Sequence, residues 1–180
     1  MAEKVKDTST IGTDFVVLVD EDDRVLGTMG KMEAHEKGLL HRAFSVLLYN
    51  DAGEMLIQKR AAGKYHTPGL WANACCSHPR AGEGVLDAAS RRLREELGIE
   101  IPPDALRSGG SFIYRASFDN GLTEHEFDTM VIGRFNGDVI RFNPQEVDAV
   151  NWISMEALKA LVKEKPERFT PWFMEILKRL

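Results

Sequence analysis

A single mixed β-sheet flanked by helices, an α/β or α+β architecture, is what this sequence predicts, and three observations carry the prediction. Short apolar runs alternate with polar turns in the first part of the chain, one strongly periodic helical segment sits in the middle, and strand-like and helix-like runs then follow without a linker, repeat or composition shift. Residues 1–13 are polar and are expected to fray, with one domain over 14–180. Phe15–Val19 and Arg24–Gly27 read as two strands around an acidic turn. Ala43–Tyr49 and Met55–Lys59 repeat the pattern around Asn-Asp-Ala-Gly, which supplies a tight turn. His66-Thr-Pro-Gly69 interrupts the chain before Leu70–Cys76. Gly84–Leu97 is the clearest helix: Leu86, Ala89, Leu93 and Leu97 recur at three or four, and Gly98 supplies the stop. Ser111–Phe118 and Phe127–Phe135 are strands around Asp119-Asn-Gly121, Val147–Ile153 is another, and Met155–Val162 and Trp172–Leu180 are helical.

Length and composition narrow the class. A chain of 180 residues with 43% hydrophobic and 28% charged residues can bury one core and is neither disordered nor low-complexity. Its net charge of −5 argues against a general nucleic-acid or anionic-membrane surface. The two cysteines are adjacent, Cys75-Cys76, which excludes a disulfide framework and points to reduced thiols in the cytoplasm. The charged N-terminus does not resemble a signal peptide, and no apolar run approaches the length of a spanning helix, about 20 residues.

Several residues combine into candidate chemistry. If Asn73–His78 is extended, Cys76 and His78 share one face while Cys75 and Ser77 share the other. By the same alternation Glu124 and Glu126 point one way and His125 the other. His35 and His41 flank Gly38 at a spacing that lets a loop fold both imidazoles toward one point. Three histidines and two carboxylates make a mixed N/O set suited to Zn²⁺ or Mn²⁺. Each also has a plainer explanation: a hydrogen-bonded histidine, a small buried thiol, a solvated Glu-x-Glu face. Spacing alone leaves the choice open.

Ser77–Ile99, SHPRAGEGVLDAASRRLREELGI, resembles the Nudix box, with matches at Glu83, Arg91, Leu93, Glu95, Glu96, Gly98 and Ile99. Ser77 replaces its leading Gly and Arg92 the first Glu of its core. In that motif a carboxylate-lined helix holds Mg²⁺, which neutralises a diphosphate; Arg92 removes one ligand and offers a phosphate clamp instead. Trp71-Ala-Asn-Ala-Cys-Cys-Ser-His-Pro79 just before this helix is similar to the signature of type 1 isopentenyl-diphosphate isomerases, at Trp71, Asn73, Cys76, His78 and Pro79. Further elements of that family's pattern fall in order at His35, His41-Arg-Ala-Phe44, Tyr114-Arg-Ala116, Glu124-His-Glu126 and Pro171-Trp172.

The resemblance implies a single-domain Nudix-like fold and isomerisation of isopentenyl to dimethylallyl diphosphate. It implies a metal site at His35, His41, His78, Glu124 and Glu126 for Mn²⁺ or Zn²⁺, and Mg²⁺ held with the substrate diphosphate by Glu96 and the Cys76 carbonyl. Cys76 and Glu126 would be the catalytic pair, aided by Tyr114. Lys31, Arg60, Lys64 and Arg92 would clamp phosphates, Ser77 would line the substrate site, and Trp172 would face the developing cation, although core packing equally explains that residue. The expected partner is a small isoprenyl diphosphate bound by a cytoplasmic monomer or weak homodimer. The rival reading is a Nudix diphosphohydrolase acting on a nucleotide or nucleotide-sugar; a third is a non-catalytic Zn²⁺-binding module on the same scaffold. Arg92 and the Cys76-x-His78 and Glu124-x-Glu126 pairs weigh against the hydrolase.

Overall fold

The computed structural model describes residues 15–137 and 140–180, so the frayed segment expected over 1–13 lies outside the described residues. Among the described residues nine strands form one branched sheet: β1 (Phe15–Val19), β2 (Val25–Gly30), β3 (His41–Tyr49), β4 (Met55–Arg60), β5 (Trp71–Asn73), β6 (Cys75–Ser77), β7 (Arg107–Ser117), β8 (Thr123–Arg134) and β9 (Val147–Ile153). Helices α1 (Lys31–Lys37), α2 (Val85–Leu97), α3 (Met155–Glu164) and α4 (Pro171–Leu177) complete it. The mixed sheet is as expected. Its parallel pair is β3 with β8, in register from His41 opposite Glu126 to Tyr49 opposite Arg134. The opposite edge of β3 is shared by β1 at His41, β6 at Phe44–Val46 and β4 at Tyr49, all antiparallel.

This hub sorts side chains by period two. Phe44, Val46 and Leu48 of β3 pack under α2 with Ala88, Ala89, Leu93 and Leu97. Leu47 faces the opposite layer, where Phe112, Met130, Leu158, Trp172, Phe173 and Ile176 form a second core under α3 and α4. His41 and Ser45 share the parity of Leu47 and so point to the α4 side. The three-residue strand β6 splits the cysteines the same way: Cys75 is fully buried in the α2 core, whereas Cys76 packs against the other layer.

α2 ends at Gly98 in the left-handed conformation (φ 64°), whose N–H returns to the Arg94 carbonyl. A Cβ there would lie 2.8 Å from the Arg141 carbonyl oxygen, so glycine is required by space as well as by φ. One expectation is corrected: the segment before Gly38 is not a loop but the seven-residue helix α1. It has no apolar stripe to announce it. Burial of Ala34 and His35 holds it in place.

Candidate active site and metal centre

Four of the five histidines converge with Glu124 and Glu126 on the α4 side of the sheet. His35 comes from α1, His41 from the start of β3, His78 from just after β6, and the two glutamates from alternate positions of β8. Donor atoms of His35, His41, His78 and Glu126 lie within 4.8 Å of one another, as do those of His35, His66 and Glu124. The structure thus brings the three expected histidines and two glutamates into two adjoining groups that share His35, and His66 joins the second. No spacing or repeat had singled out His66; it sits in a turn segment rich in Gly and Pro. His125 faces away, as alternation requires, and its Nδ1 lies 3.1 Å from the Gly38 carbonyl.

The tautomers explain what this cluster can hold. His35 Nδ1 is 2.7 Å from the Lys31 carbonyl and His41 Nδ1 is 2.8 Å from the Leu39 carbonyl. A carbonyl only accepts, so in the neutral rings both protons sit on Nδ1 and the Nε2 lone pairs are bare. Both Nε2 atoms are buried and make no hydrogen bond among the described residues. Glu126 Oε1 stands 3.0 Å from His78 Nε2 and 3.5 Å from His41 Nε2. Lone pairs and a carboxylate pointing at one another call for a proton or a cation between them, and the imidazole-carboxylate set fits a divalent metal ion.

The proton balance follows the same logic. Burial lowers His35 to about 4 and His78 to about 3. Burial also opposes charge on His41, but the facing Glu126 carboxylate, 3.5 Å from its Nε2, outweighs it and its pKa rises. Tyr114 Oη lies 2.7 Å from Glu124 Oε2 and 2.7 Å from Glu126 Oε2. A phenol has one proton, so one carboxyl must carry another. Burial, then the neighbouring Glu126 charge, pushes Glu124 up to about 8, which assigns that proton to Glu124. Glu126 is held well below the carboxylate range: burial opposes its ionisation, but the facing His41 and His78 imidazoles prevail.

Beside the histidine–glutamate cluster lies Cys76. Its thiol donates to Asn73 Oδ1 at 3.0 Å and touches Ser45 Oγ at 3.5 Å, and Ser45 donates to Asp128 Oδ2 at 2.7 Å. Burial, then the Asp128 charge, pushes this thiol far above the ordinary cysteine range, so it is protonated. Ser45 and Asp128 were not anticipated. Asp128 was within reach of the sequence, as the third acid in the alternating run Glu124, Glu126, Asp128.

Cys76, His78, Glu124 and Glu126 line a cavity together with Lys31, Arg60, Lys64, Ser77, Arg92 and Trp172. Every expected substrate-binding residue therefore reaches one space. Next to it a second cavity shares Lys31, Lys64, Ser77, His78 and Arg92 and adds Arg80, Arg91 and Glu146. This basic mouth suits a polyanion. Burial, then Lys64 and Arg92, lowers Lys31 to about 8, and its Nζ sits 4.4 Å from the Tyr65 ring centre. Glu146, unforeseen, pairs with both Lys64 and Arg92. Trp172 is 2% exposed and belongs to the core as well as the cavity wall, with the Arg60 guanidinium 5.1 Å over its ring. Glu96 lies apart, buried behind the mouth, where Arg92 Nε donates to it at 3.1 Å.

Residues 39–173 match the family described as the NUDIX domain. Among curated proteins, isopentenyl-diphosphate Delta-isomerase 2 of Photorhabdus laumondii is 46% identical over 167 residues, spanning 93% of this chain and 92% of that protein. The isopentenyl-diphosphate Delta-isomerase of Photobacterium profundum is 48% identical over 165 residues, spanning 90% and 91%. In fold, a Deinococcus radiodurans crystal structure superposes with a TM-score of 0.74 at 24% identity, covering 92% of this chain and 98% of its own. The MutT protein of Methanosarcina mazei Go1 does so with a TM-score of 0.60 at 18% identity, covering 78% and 91%.

Proposed function

This chain belongs to the isopentenyl-diphosphate Delta-isomerase family on the Nudix fold, and from that premise we propose how its own residues divide the work. The enzyme interconverts isopentenyl and dimethylallyl diphosphate. An unactivated alkene must accept a proton at one carbon and lose one at another, so an acid and a base have to flank a flat substrate. Cys76 and Glu126, on different strands that line one cavity, are that pair. The single observation that carries this reading is their convergence beside a basic mouth that fits a diphosphate.

In the forward direction Glu126, positioned by Tyr114, delivers a proton and the Cys76 thiolate removes one, leaving Glu126 ionised and Cys76 as thiol. That pair of protonation states is the one favoured in the free protein, so the resting site is set for the backward reaction. Each forward turnover therefore requires a proton to pass from Cys76 back to Glu126. Lys31, Lys64 and Arg92 bind the phosphates, Ser77 borders them, and Arg60 braces Trp172, whose ring stabilises cationic character by about 0.5–2 kcal/mol. Burial of the reacting groups keeps water from quenching the cation.

In this reading His35, His41, His78, Glu124 and Glu126 would hold Mn²⁺ or Zn²⁺, and Glu96, paired with Arg92 in the free protein, would with the Cys76 carbonyl hold the Mg²⁺ that arrives with substrate. When bound, the His/Glu ion supplies Lewis acidity that makes the Glu126 proton easier to give. The free cysteines support a cytoplasmic site of action, and no helix among the described residues is long and apolar enough to cross a membrane. The test is incubation with isopentenyl diphosphate and Mg²⁺, following acid-labile dimethylallyl diphosphate. Absence of product together with phosphate release from nucleotides would return the chain to the diphosphohydrolases.

A further inference from the structure

His66 lies outside the residue set that the family resemblance supplied, yet it is 4% exposed and its Nε2 is 2.8 Å from Glu124 Oε1. Its ring is fixed on three sides: flat against Phe118 (centroids 5.1 Å apart, planes 4°) and edge-on to Tyr65 and Trp172. Its own carbonyl accepts from Arg60 Nη2 at 3.1 Å, which anchors the turn carrying it. A ring held this rigidly against a carboxylate has a defined orientation to impose.

Its hydrogen-bond surroundings differ from those of His35 and His41. Those rings turn Nδ1 to carbonyl acceptors and leave a bare Nε2 lone pair. His66 Nδ1 instead faces the Arg60 guanidinium at 3.5 Å and the Thr67 hydroxyl at 3.1 Å. A guanidinium can only donate, so Nδ1 is the acceptor and the ring proton belongs on Nε2, toward Glu124. The 2.8 Å approach is short but outside aligned hydrogen-bond geometry, so the carboxylate must turn to complete the bond.

We infer that His66 is a positioning residue of the metal centre, which orients Glu124 as a ligand by donating from Nε2. This rests on the reading of the His/Glu cluster as a metal site. It makes the centre one of four imidazoles in two roles, three ligands and one brace. Partners that orient a ligand in this way change metal affinity by about 10–100-fold when removed.

The experiment titrates the metal-free protein with Mn²⁺ alone, followed by the paramagnetic resonance of free and bound ion. His66→Phe keeps the stacking shape and removes both nitrogens, while His66→Gln restores a donor. Mn²⁺ affinity should fall about 10–100-fold in His66→Phe and recover in part in His66→Gln, with the metal-free melting temperature of both near that of the parent. Wild-type affinity in His66→Phe would reduce the ring to packing and overturn the inference. Loss of one ¹⁵N-histidine coupling to Mn²⁺ at saturation in His66→Phe would make it a direct ligand and overturn the role stated here. His78→Ala is the control: unchanged affinity there as well would sink the metal reading itself rather than His66 alone.

Discussion

Two clusters of carboxylates lie at or beside the cavity, and they are solved in opposite ways. Around α2, Glu83, Glu95 and Glu96 each have a guanidinium. Arg91 grips Glu83 through Nε at 2.7 Å and Nη2 at 2.9 Å, and Arg92 pairs with Glu95 at 2.8 Å and with Glu96 through Nε at 3.1 Å. On β8, Glu124, Glu126 and Asp128 face a phenol, a serine and histidines, none of which carries a fixed positive charge. The helix cluster is complete without help, because arginine stays protonated at any working pH. The strand cluster is closed only by protons or a divalent cation. The difference makes the β8 cluster the candidate metal site, as proposed above, while around α2 the acids are already paired by Arg91 and Arg92.

The largest effect should come from breaking the strand cluster and its thiol neighbour. Glu126→Gln and Cys76→Ala each remove an acid–base group, and turnover should drop by about 10²–10⁴-fold in steady-state assays. The fold should survive in both, because Gln fills the same space as Glu126 and removes a buried charge; near-parental melting curves check this. Glu126→Gln should also weaken Mn²⁺ binding, whereas Cys76→Ala should not. Parental turnover in either variant would remove that residue from the catalytic pair.

The mirror experiment breaks the helix cluster. Arg92→Met leaves Glu96, 4% exposed, without its guanidinium, and stripping one partner from a buried pair costs about 3–5 kcal/mol. Urea unfolding should show that loss, and KM for the diphosphate should rise. Mn²⁺ affinity at the histidines should stay unchanged, since Arg92 belongs to the other cluster. A coupled loss of Mn²⁺ would mean that the two clusters are one site.

How much of this could be read from the chain depended on range. Period-two and period-four patterns located β3, β4, β7, β8 and α2, and alternation alone placed Cys76 with His78 and Glu124 with Glu126. Those are local facts. α1 escaped because its only buried residues are Ala34 and His35, too few for a periodic stripe. His66 escaped because its neighbours are set by the fold: Phe118 and Glu124 are remote in sequence and meet it only after β8 pairs with β3. Glu146 escaped likewise, being an ordinary surface acid until Lys64 and Arg92 are brought to it.

A smaller effect separates the basic mouth from both clusters. Lys31 has a pKa of about 8 in the free protein because of burial and the positive Lys64 and Arg92. A bound diphosphate favours the ammonium, so its pKa rises on binding and binding takes up a proton above pH 8. Affinity should be flat below about pH 8 and weaken by up to tenfold per pH unit above it. Calorimetry in buffers of different ionisation enthalpy reads the proton directly. Lys31→Arg, permanently charged, should flatten the profile; an unaltered profile would assign the titration elsewhere.

The smallest effect tests the sorting principle that separates the two faces of the sheet. Cys75 and Cys76 are chemically identical neighbours, and only the pleat of β6 distinguishes them. Cys75 is fully buried among Ala88, Ala89 and Leu93, where burial drives its thiol far above the ordinary range and leaves it inert. Cys75→Ala removes one sulfur atom from a packed core and should cost about 1 kcal/mol, with turnover close to parental. Cys76→Ala should do the reverse, sparing stability and removing turnover. If instead Cys75→Ala lost activity as deeply as Cys76→Ala, the alternation that assigns one thiol to the core and the other to the substrate would be wrong at β6, and the acid–base assignment would have to be rebuilt from the other cysteine.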